Sequence, residues 1–347
     1  MIEYVKGNLL EADAEALVNT VNCVGVMGKG IALQFKQAFP QNFQQYEKAC
    51  KAEHVQPGKM FVVETNSFIN PKFIINFPTK RHWKGKSKIE DIDSGLNALV
   101  EVVKRLDIKS IAIPPLGCGN GGLDWKLVRP RIEAAFKELH SIRVFVYEPV
   151  GSPSPEKIKI GTERPHLTKA RALFISLMDQ YSIPGYRLTL LEVQKLAYFL
   201  QVVGEPLRLN FSKGLYGPYA DNLNHVLQRL EGHFIRGYGD GTRGKDVQVF
   251  LLPNAAREAR DFLIGEIDSL YRLQKVSQII EGFETPYGME LLSTVHWVVK
   301  QNPDEENNPD SVVRLVHDWN VRKRQLFKKE HIRLAWAHLK ELDTFSL

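Results

Sequence analysis

Cysteine is scarce in this chain of 347 residues: three in all, Cys23, Cys50 and Cys118, at no metal-ligand spacing. That usage argues against a disulfide framework and a zinc site, and fits a reducing cytoplasm. No apolar run is long enough to cross a bilayer. The opening MIEYVKGNLL has no charged segment ahead of an apolar one, so it reads as a first strand rather than a signal peptide. Internal repeats and low-complexity tracts are also missing. What remains is an ordinary soluble composition, 44% hydrophobic and 25% charged. At this length two domains are expected rather than one core.

A strong charge imbalance is absent as well. The net charge is +6, and the excess is local. Residues 1–150 hold 20 Lys and Arg against 16 Asp and Glu; the remainder hold 26 against 24. Within the first part, FIINFPTKRHWKGKSK runs from an apolar strand into Lys80, Arg81, His82, Lys84, Lys86 and Lys88 with no acid among them. Such a run is ordinarily a solvated loop, and alternatively a contact for an anionic partner.

Along residues 1–150, strand signals alternate with helical ones. Apolar or β-branched runs occur at IEYV, EALVNT, KMFVVE, KFIINF, SIAIPPL and RVFVYE. Helical periodicity lies between them; in IEDIDSGLNALVEVVKRL the residues Ile89, Ile92, Leu96, Leu99 and Val103 share a face. This alternation predicts an α/β fold with helices on both faces of a sheet. EPVGSPSPEKIKIGTERP, rich in Pro, Gly and Ser, reads as a linker over 150–165. Residues 166–347 then read as a mainly helical domain, interrupted by the Gly-rich RGYGDGTRGKD and a short strand, VQVFLLP.

Two Gly-rich segments follow strands and lead into helices: VNTVNCVGVMGKGIA and PPLGCGNGGLDW. Glycine lets backbone N–H groups approach a ligand, and a helix start favours an anion, so together they suit a diphosphate. Neither is a Walker loop or a clean G-x-G-x-x-G.

KGNLLEADAEALVNTVNCVGVMGKGIA followed by IPPLGCGNGGLDW resembles a macrodomain, the ADP-ribose-binding α/β fold, over residues 1–149. With NFPTKRHWKGKSKIEDIDSGL the resemblance narrows to the DarG family, antitoxins that remove ADP-ribose from DNA bases modified by DarT, a DNA ADP-ribosyltransferase. It implies a mixed sheet between helices, no cofactor, and ADP-ribose as ligand and product. Asn8, with Leu9, takes the place of an adenine-binding Asp; Asn19 and Asn22 match the loop facing the distal ribose. Gly28, Lys29, Gly30 and Ile31 match the first phosphate loop. Gly117, Cys118, Gly119, Asn120, Gly121 and Gly122 match the second. Thr79 lies beside the site, and Tyr147 either stacks on adenine or packs inside. Cys118 reads as a small loop residue rather than a nucleophile, since nothing near it favours a thiolate.

Cleavage at the distal C1″ ordinarily uses two carboxylates. The first Gly loop holds none. In glutamate-specific relatives a catalytic Asp matches the position of Gly121, and that acid is absent here; Asp124 reads as a helix N-cap. The Pro78-Thr79-Lys80 turn is expected to place Lys80 just past a strand end, where α/β sites gather. The resemblance makes Lys80 catalytic. Arg81 and Lys84 are expected to lower its pKa. Lys80 then acts either as a neutral amine forming a Schiff base with the opened sugar or as a charged acid and electrostatic stabiliser. Arg81 and Lys84 are expected to hold phosphates of a single strand, with Trp83 stacking on a base. Thymidine is the first expectation for that base, guanosine the second.

In the second half, LTLLEVQKLAYFLQ with NFSKGLYGPYADNL resembles the SocA-like, or Panacea, antitoxin domains, which carry a Leu-Gln-Lys-Leu-type helix and a Gly-Pro turn; here Val193 stands where Leu is common. This implies binding of a cognate DarT-like toxin. Leu190, Val193, Leu196, Ala197 and Leu200 also read as helix core, and Asp240, Glu281 and Asp304-Glu305-Glu306 are acids available to a basic partner. Two other readings compete: a non-catalytic ADP-ribose reader, and a hydrolase acting on modified proteins.

Overall fold

The computed structural model describes residues 1–182, 186–242, 244 and 246–346. The chain divides into two compact units, Met1–Glu163 with Asp240–Thr242, and Arg164–Gly239 with Arg243–Leu347.

The first unit alternates strands and helices: β1 (Ile2–Val5), β2 (Ala16–Asn22), α1 (Gly30–Ala38), α2 (Pro40–Lys51), β3 (Phe61–Glu64), β4 (Phe73–Lys80), α3 (Ile89–Arg105), β5 (Ser110–Ile113), α4 (Trp125–Phe136) and β6 (Arg143–Tyr147). The sheet order is β1-β6-β5-β2-β4-β3. All pairs are parallel except β3–β4, which makes the sheet mixed, as expected. The central strands are buried on both faces, as helix-covered parallel strands must be: every residue of β5 and all but Thr20 of β2 are buried. In α3 the apolar spacing works as read, with Ile92, Leu96, Leu99 and Val103 in the core and Lys104 and Arg105 in the last turn.

Two readings are corrected here. Pro78, Thr79 and Lys80 do not form a turn; they are the last residues of β4, paired to β2 as far as Asn22–Lys80 across a bulge at Val21/Asn22. β3 pairs no further along β4 than Asn76. Beyond it β4 is an edge strand on that side, where the missing N–H of Pro78 is tolerated. The segment read as a linker belongs, up to Glu163, to the first unit. Pro155 and Ile158 are buried there, and the Gly161 N–H donates to the Gln37 carbonyl at 2.8 Å.

The second unit is mainly helical: α5 (Lys169–Tyr181), β7 (Leu188–Thr189), α6 (Leu190–Val202), β8 (Phe211–Gly214), β9 (Gly217–Ala220), α7 (Leu223–Leu230), β10 (Ile235–Arg236), β11 (Gln248–Leu251), α8 (Ala255–Phe262), α9 (Ile267–Ile280), α10 (Pro286–Gln301), α11 (Pro309–His317), α12 (Val321–Leu326) and α13 (Lys329–Glu341). VQVFLLP supplies β11, antiparallel to β7 and β10. Of the Gly-rich stretch before it, residues 243 and 245 lie outside those described.

The Gly217-Pro218 pair is not a turn but opens β9 of a β8–β9 hairpin. It meets the Gln-Lys pair of α6. The Gln194 amide accepts from Ala220 N–H at 3.1 Å and donates to its carbonyl at 3.2 Å. Lys195 Nζ donates to the Pro218 carbonyl at 2.6 Å. A Cβ on Gly217 would lie 2.9 Å from Thr294 Oγ1 and 3.2 Å from Lys195 Nζ, so only glycine lets the strand approach. The two halves of the motif therefore hold each other. Lys195 is 2% exposed; burial first, and the Lys323 charge second, push its pKa down to about 7. Of the acids read as partner contacts, Asp240 is 1% exposed and accepts from the Thr242 hydroxyl at 2.7 Å, so it is not a surface group. Glu281 and Asp304 are exposed.

Candidate active site

Because β2, β4, β5 and β6 run parallel, their C-terminal ends, Asn22, Lys80, Ile113 and Tyr147, lie along one edge of the sheet. Both Gly-rich loops leave from that edge, as ligand-binding loops of α/β sheets do.

Lys80 ends β4 half-buried, and its amine donates to the Asn120 carbonyl of the second loop. Burial lowers its pKa below the ordinary lysine range. The expected cause, repulsion from Arg81 and Lys84, is corrected. The Arg81 guanidinium donates to Asp91 Oδ1 at 2.9 Å, and that buried carboxylate offsets its charge. Lys84 points its ammonium over the Trp83 ring, 4.9 Å from the centroid. His82 and Trp83 rings lie 5.5 Å apart, and Trp83 is 49% exposed. Lys86 and Lys88 are exposed.

The second loop is shaped by close backbone approach. Ser87 N–H donates to the Gly121 carbonyl at 3.0 Å, and Leu123 N–H to that of Gly117 at 3.0 Å. A Cβ on Gly121 would lie 2.2 Å from the Gly117 carbonyl oxygen and 2.3 Å from Ser87 Oγ. Position 119 differs: nothing lies within 4 Å of a Cβ there. Gly122 and Asn120 are exposed. Cys118 is half-buried, and burial, with the Asp124 charge adding, pushes its thiol up to about 11, which removes it as a nucleophile at neutral pH. Asp124 caps α4 by accepting from Lys126 N–H at 2.9 Å.

The first loop is fixed by Asn22. Its Oδ1 accepts from the N–H groups of Val24 (3.0 Å) and Val26 (3.3 Å), and its Nδ2 donates to the Val26 carbonyl at 2.5 Å. Tyr46, wholly buried, donates its hydroxyl to the Asn22 carbonyl at 2.7 Å. Cys23 N–H donates to the Arg81 carbonyl and its thiol to that of Lys80, both at 3.3 Å. Lys29 is exposed; Gly28 and Ile31 are half-buried, and α1 starts at Gly30.

Several residues read as ligand contacts are turned inward. Asn19 is fully buried and donates to Asn76 Oδ1 at 3.0 Å, within an amide network that includes Asn42. Its own Oδ1 has no partner. Thr79 is 4% exposed. Asn8 caps a 3-10 turn, accepting from Leu10 N–H at 3.1 Å and donating to Glu11 Oε1 at 3.2 Å. Leu9 and Tyr147 pack in one apolar cluster with Leu10, Leu17 and Phe35, which favours the interior reading of Tyr147.

Residues 18–132 match the family model for the Macro domain. A protein from Thermus aquaticus named DNA ADP-ribosyl glycohydrolase is 48% identical over 335 residues, 96% of this chain and 92% of that relative. The chain belongs to the DNA ADP-ribosyl glycohydrolase family. A Thermosipho africanus protein named as a DNA ADP-ribosyl transferase–DNA ADP-ribosyl glycohydrolase fusion is 35% identical over 170 residues, 45% of this chain and 44% of the fusion. A solved structure, the macrodomain of Mycobacterium tuberculosis DarG, is 58% identical, covers 43% of this chain and 98% of its own, and superposes with a TM-score of 0.43.

As a DNA ADP-ribosyl glycohydrolase family member, the chain has an edge of sheet where one half-buried amine reaches the second Gly loop; the first Gly segment holds no Asp or Glu, and the single acid of the second, Asp124, caps α4. Among the described residues, no group of His, Cys, Asp and Glu is arranged to hold a metal, and no helix is long and apolar enough to cross a membrane.

Proposed function

We infer that this chain hydrolyses the N-glycosidic bond joining ADP-ribose to a base of single-stranded DNA, thymidine first and guanosine second. It also restrains a cognate DNA ADP-ribosyl transferase through residues 166–347. It works in the cytoplasm as an antitoxin with two routes of protection.

The observation that carries the chemistry is Lys80: a half-buried amine of lowered pKa at a strand end, beside loops whose one carboxylate, Asp124, is committed to capping α4. The base–C1″ bond breaks, water supplies hydroxyl to C1″ and a proton to the base, and the products are free ADP-ribose and intact DNA. Lys80 takes one of two roles. As a neutral amine it attacks C1″ of the opened sugar, and water later hydrolyses the Schiff base. As an ammonium it protonates the leaving base. The reaction as drawn uses only water and this lysine. The loops take the diphosphate, and Lys84, Lys86 and Lys88 meet DNA phosphates while Trp83 stacks on a base.

For the second unit, the relative in which a transferase and a glycohydrolase share one chain supports a working partnership of the two activities. Incubation with ADP-ribosylated DNA oligonucleotide and, separately, ADP-ribosylated protein tests the first half. Release from DNA alone is expected; release from protein alone, or from neither, removes the reading. Co-purification of residues 166–347 with an inactive transferase tests the second half, and retention by the first unit instead would overturn it.

A further inference from the structure

One piece of the Gly-rich stretch RGYGDGTRGKD, Asp240–Thr242, belongs to the first unit. Gly239 and Gly241 have φ of +66° and +68°, so the chain bends on both sides of Asp240 in a way that favours glycine. Asp240 lies against the start of α1. Its carbonyl accepts from Gly30 N–H, the first of that helix, at 2.9 Å. Its Oδ2 accepts from Gln34 Nε2 at 2.8 Å, and both of those side chains are buried. Oδ1 takes the Thr242 N–H at 3.2 Å and the Thr242 hydroxyl at 2.7 Å. The Thr242 hydroxyl in turn lies 2.8 Å from that of Ser152.

α1 has a use for such a partner. Its N-cap residue, Lys29, makes no side-chain cap bond. Asp240, 206 residues from Gln34 in sequence, therefore does from outside what a local cap does for other helices. The brace reaches the site through Gly30. A Cβ there would stand 3.3 Å from Asn120 Nδ2 of the second Gly loop and 3.6 Å from Thr242 Cγ2. The Asn120 carbonyl accepts from the Lys80 amine. Asp240, the first Gly loop, the second Gly loop and Lys80 are thus successive neighbours. Backbone N–H groups hold a diphosphate best when the loops that carry them are in place before it arrives.

We propose that Asp240 is a positioning residue of the ADP-ribose site: it braces the start of α1 and so fixes the spacing of the two Gly loops that seat the diphosphate. The proposal rests on the ADP-ribose reading above and adds a residue far outside the stretch of sequence that carries the loops. Asp240 acts through Gly30 and Gln34, so its loss falls on binding rather than on bond cleavage.

The test uses the full chain with Asp240→Ala, Gln34→Ala, the double variant and the conservative Asp240→Asn, at a temperature where melts show each folded. Calorimetry reads affinity for free ADP-ribose, and kinetics on an ADP-ribosylated single-stranded oligonucleotide read KM and kcat. Asp240→Ala should weaken ADP-ribose binding about tenfold, the scale of one buried hydrogen bond lost. KM should rise alike while kcat stays within about twofold. Gln34→Ala should match it, and the double variant should add little, because both break the same bond. Asp240→Asn should bind within about threefold of wild type, since the Gln34 amide can turn to pair with it. Unchanged ADP-ribose affinity in Asp240→Ala, or in Gln34→Ala where Asp240→Ala does not fold, overturns the proposal and leaves Asp240 with stability alone. Tighter binding overturns it too, by making the segment an obstruction. A wild-type chain that does not bind ADP-ribose overturns the ligand reading itself.

Discussion

Arg81 Nη2 lies 2.9 Å from Asp91 Oδ1, and through that pair the cation next to Lys80 is offset by a buried acid. Lys80 then owes its lowered pKa to burial alone. If the neutral amine is the working form, base release rises with pH through that lowered pKa and levels off above it; if the ammonium works, release falls through the same range. Asp91→Asn leaves Arg81 uncompensated, which disfavours the Lys80 ammonium further and moves the limb to lower pH. Arg81→Gln should not move it downward. A limb unmoved in Asp91→Asn, measured by single-turnover release across pH 6 to 10, would contradict this coupling.

Lys80→Ala should lose about two or more orders of magnitude in base release, the usual scale for one acid–base or nucleophilic group. ADP-ribose binding by calorimetry should persist. Borohydride should trap an adduct on the wild type and not on the variant if the Schiff-base route operates. Near-normal release by Lys80→Ala ends the catalytic assignment.

Gly119 and Gly121 should respond in opposite ways. Gly119→Glu meets open space and should fold normally, while its bulk and like charge against a diphosphate lower ADP-ribose affinity by about a hundredfold. Gly121→Ala pushes a Cβ against a backbone carbonyl and should cost about 1–3 kcal/mol of stability, the range for overpacking. Thermal melts and calorimetry on both variants separate the effects, and full affinity in a folded Gly119→Glu removes the second loop from the site.

In the second unit, Lys195 makes stability depend on pH. Its folded pKa is about 7, well below the ordinary 10.5. Between those values the unfolded chain holds a proton the folded chain lacks, so stability should climb as pH rises, by at most about 1.4 kcal/mol per pH unit for this one group. Below pH 7 both forms are charged and the slope from Lys195 vanishes. Lys323, lowered to about 8, acts with the same sign from there upward. Urea unfolding from pH 7 to 9.5 should show the climb, and Lys195→Met should flatten it. An equal slope in both would refute the assignment.

The sheet was legible because its strands are apolar runs, and the loops because glycine clusters after strands have few other uses. What sequence reading missed depends on register or on distant pairing. Asn19 and Asn76 sit opposite each other only once β2 and β4 are aligned, 57 residues apart. Nothing local in the sequence says that Arg81 folds back to Asp91 in the first turn of α3. Gly217-Pro218 read as a turn because the crowding by Lys195 and Thr294, which demands glycine there, comes from other helices. Ser87 was lost inside a basic run, although its backbone holds the second loop.

The crowding at Gly121 also limits the routes by which such a site can diverge. Any acid at this position would need a side chain where the chain has the Gly117 carbonyl and the Ser87 hydroxyl within 2.3 Å of a Cβ. A single substitution to Asp would arrive in a loop with no room for it. The loop and Ser87 would have to change first, through intermediates that gain nothing from the acid. An acid at position 121 is therefore closed to one-step mutation, and the order of changes in the loop, rather than the chemistry alone, decides whether one can be accommodated.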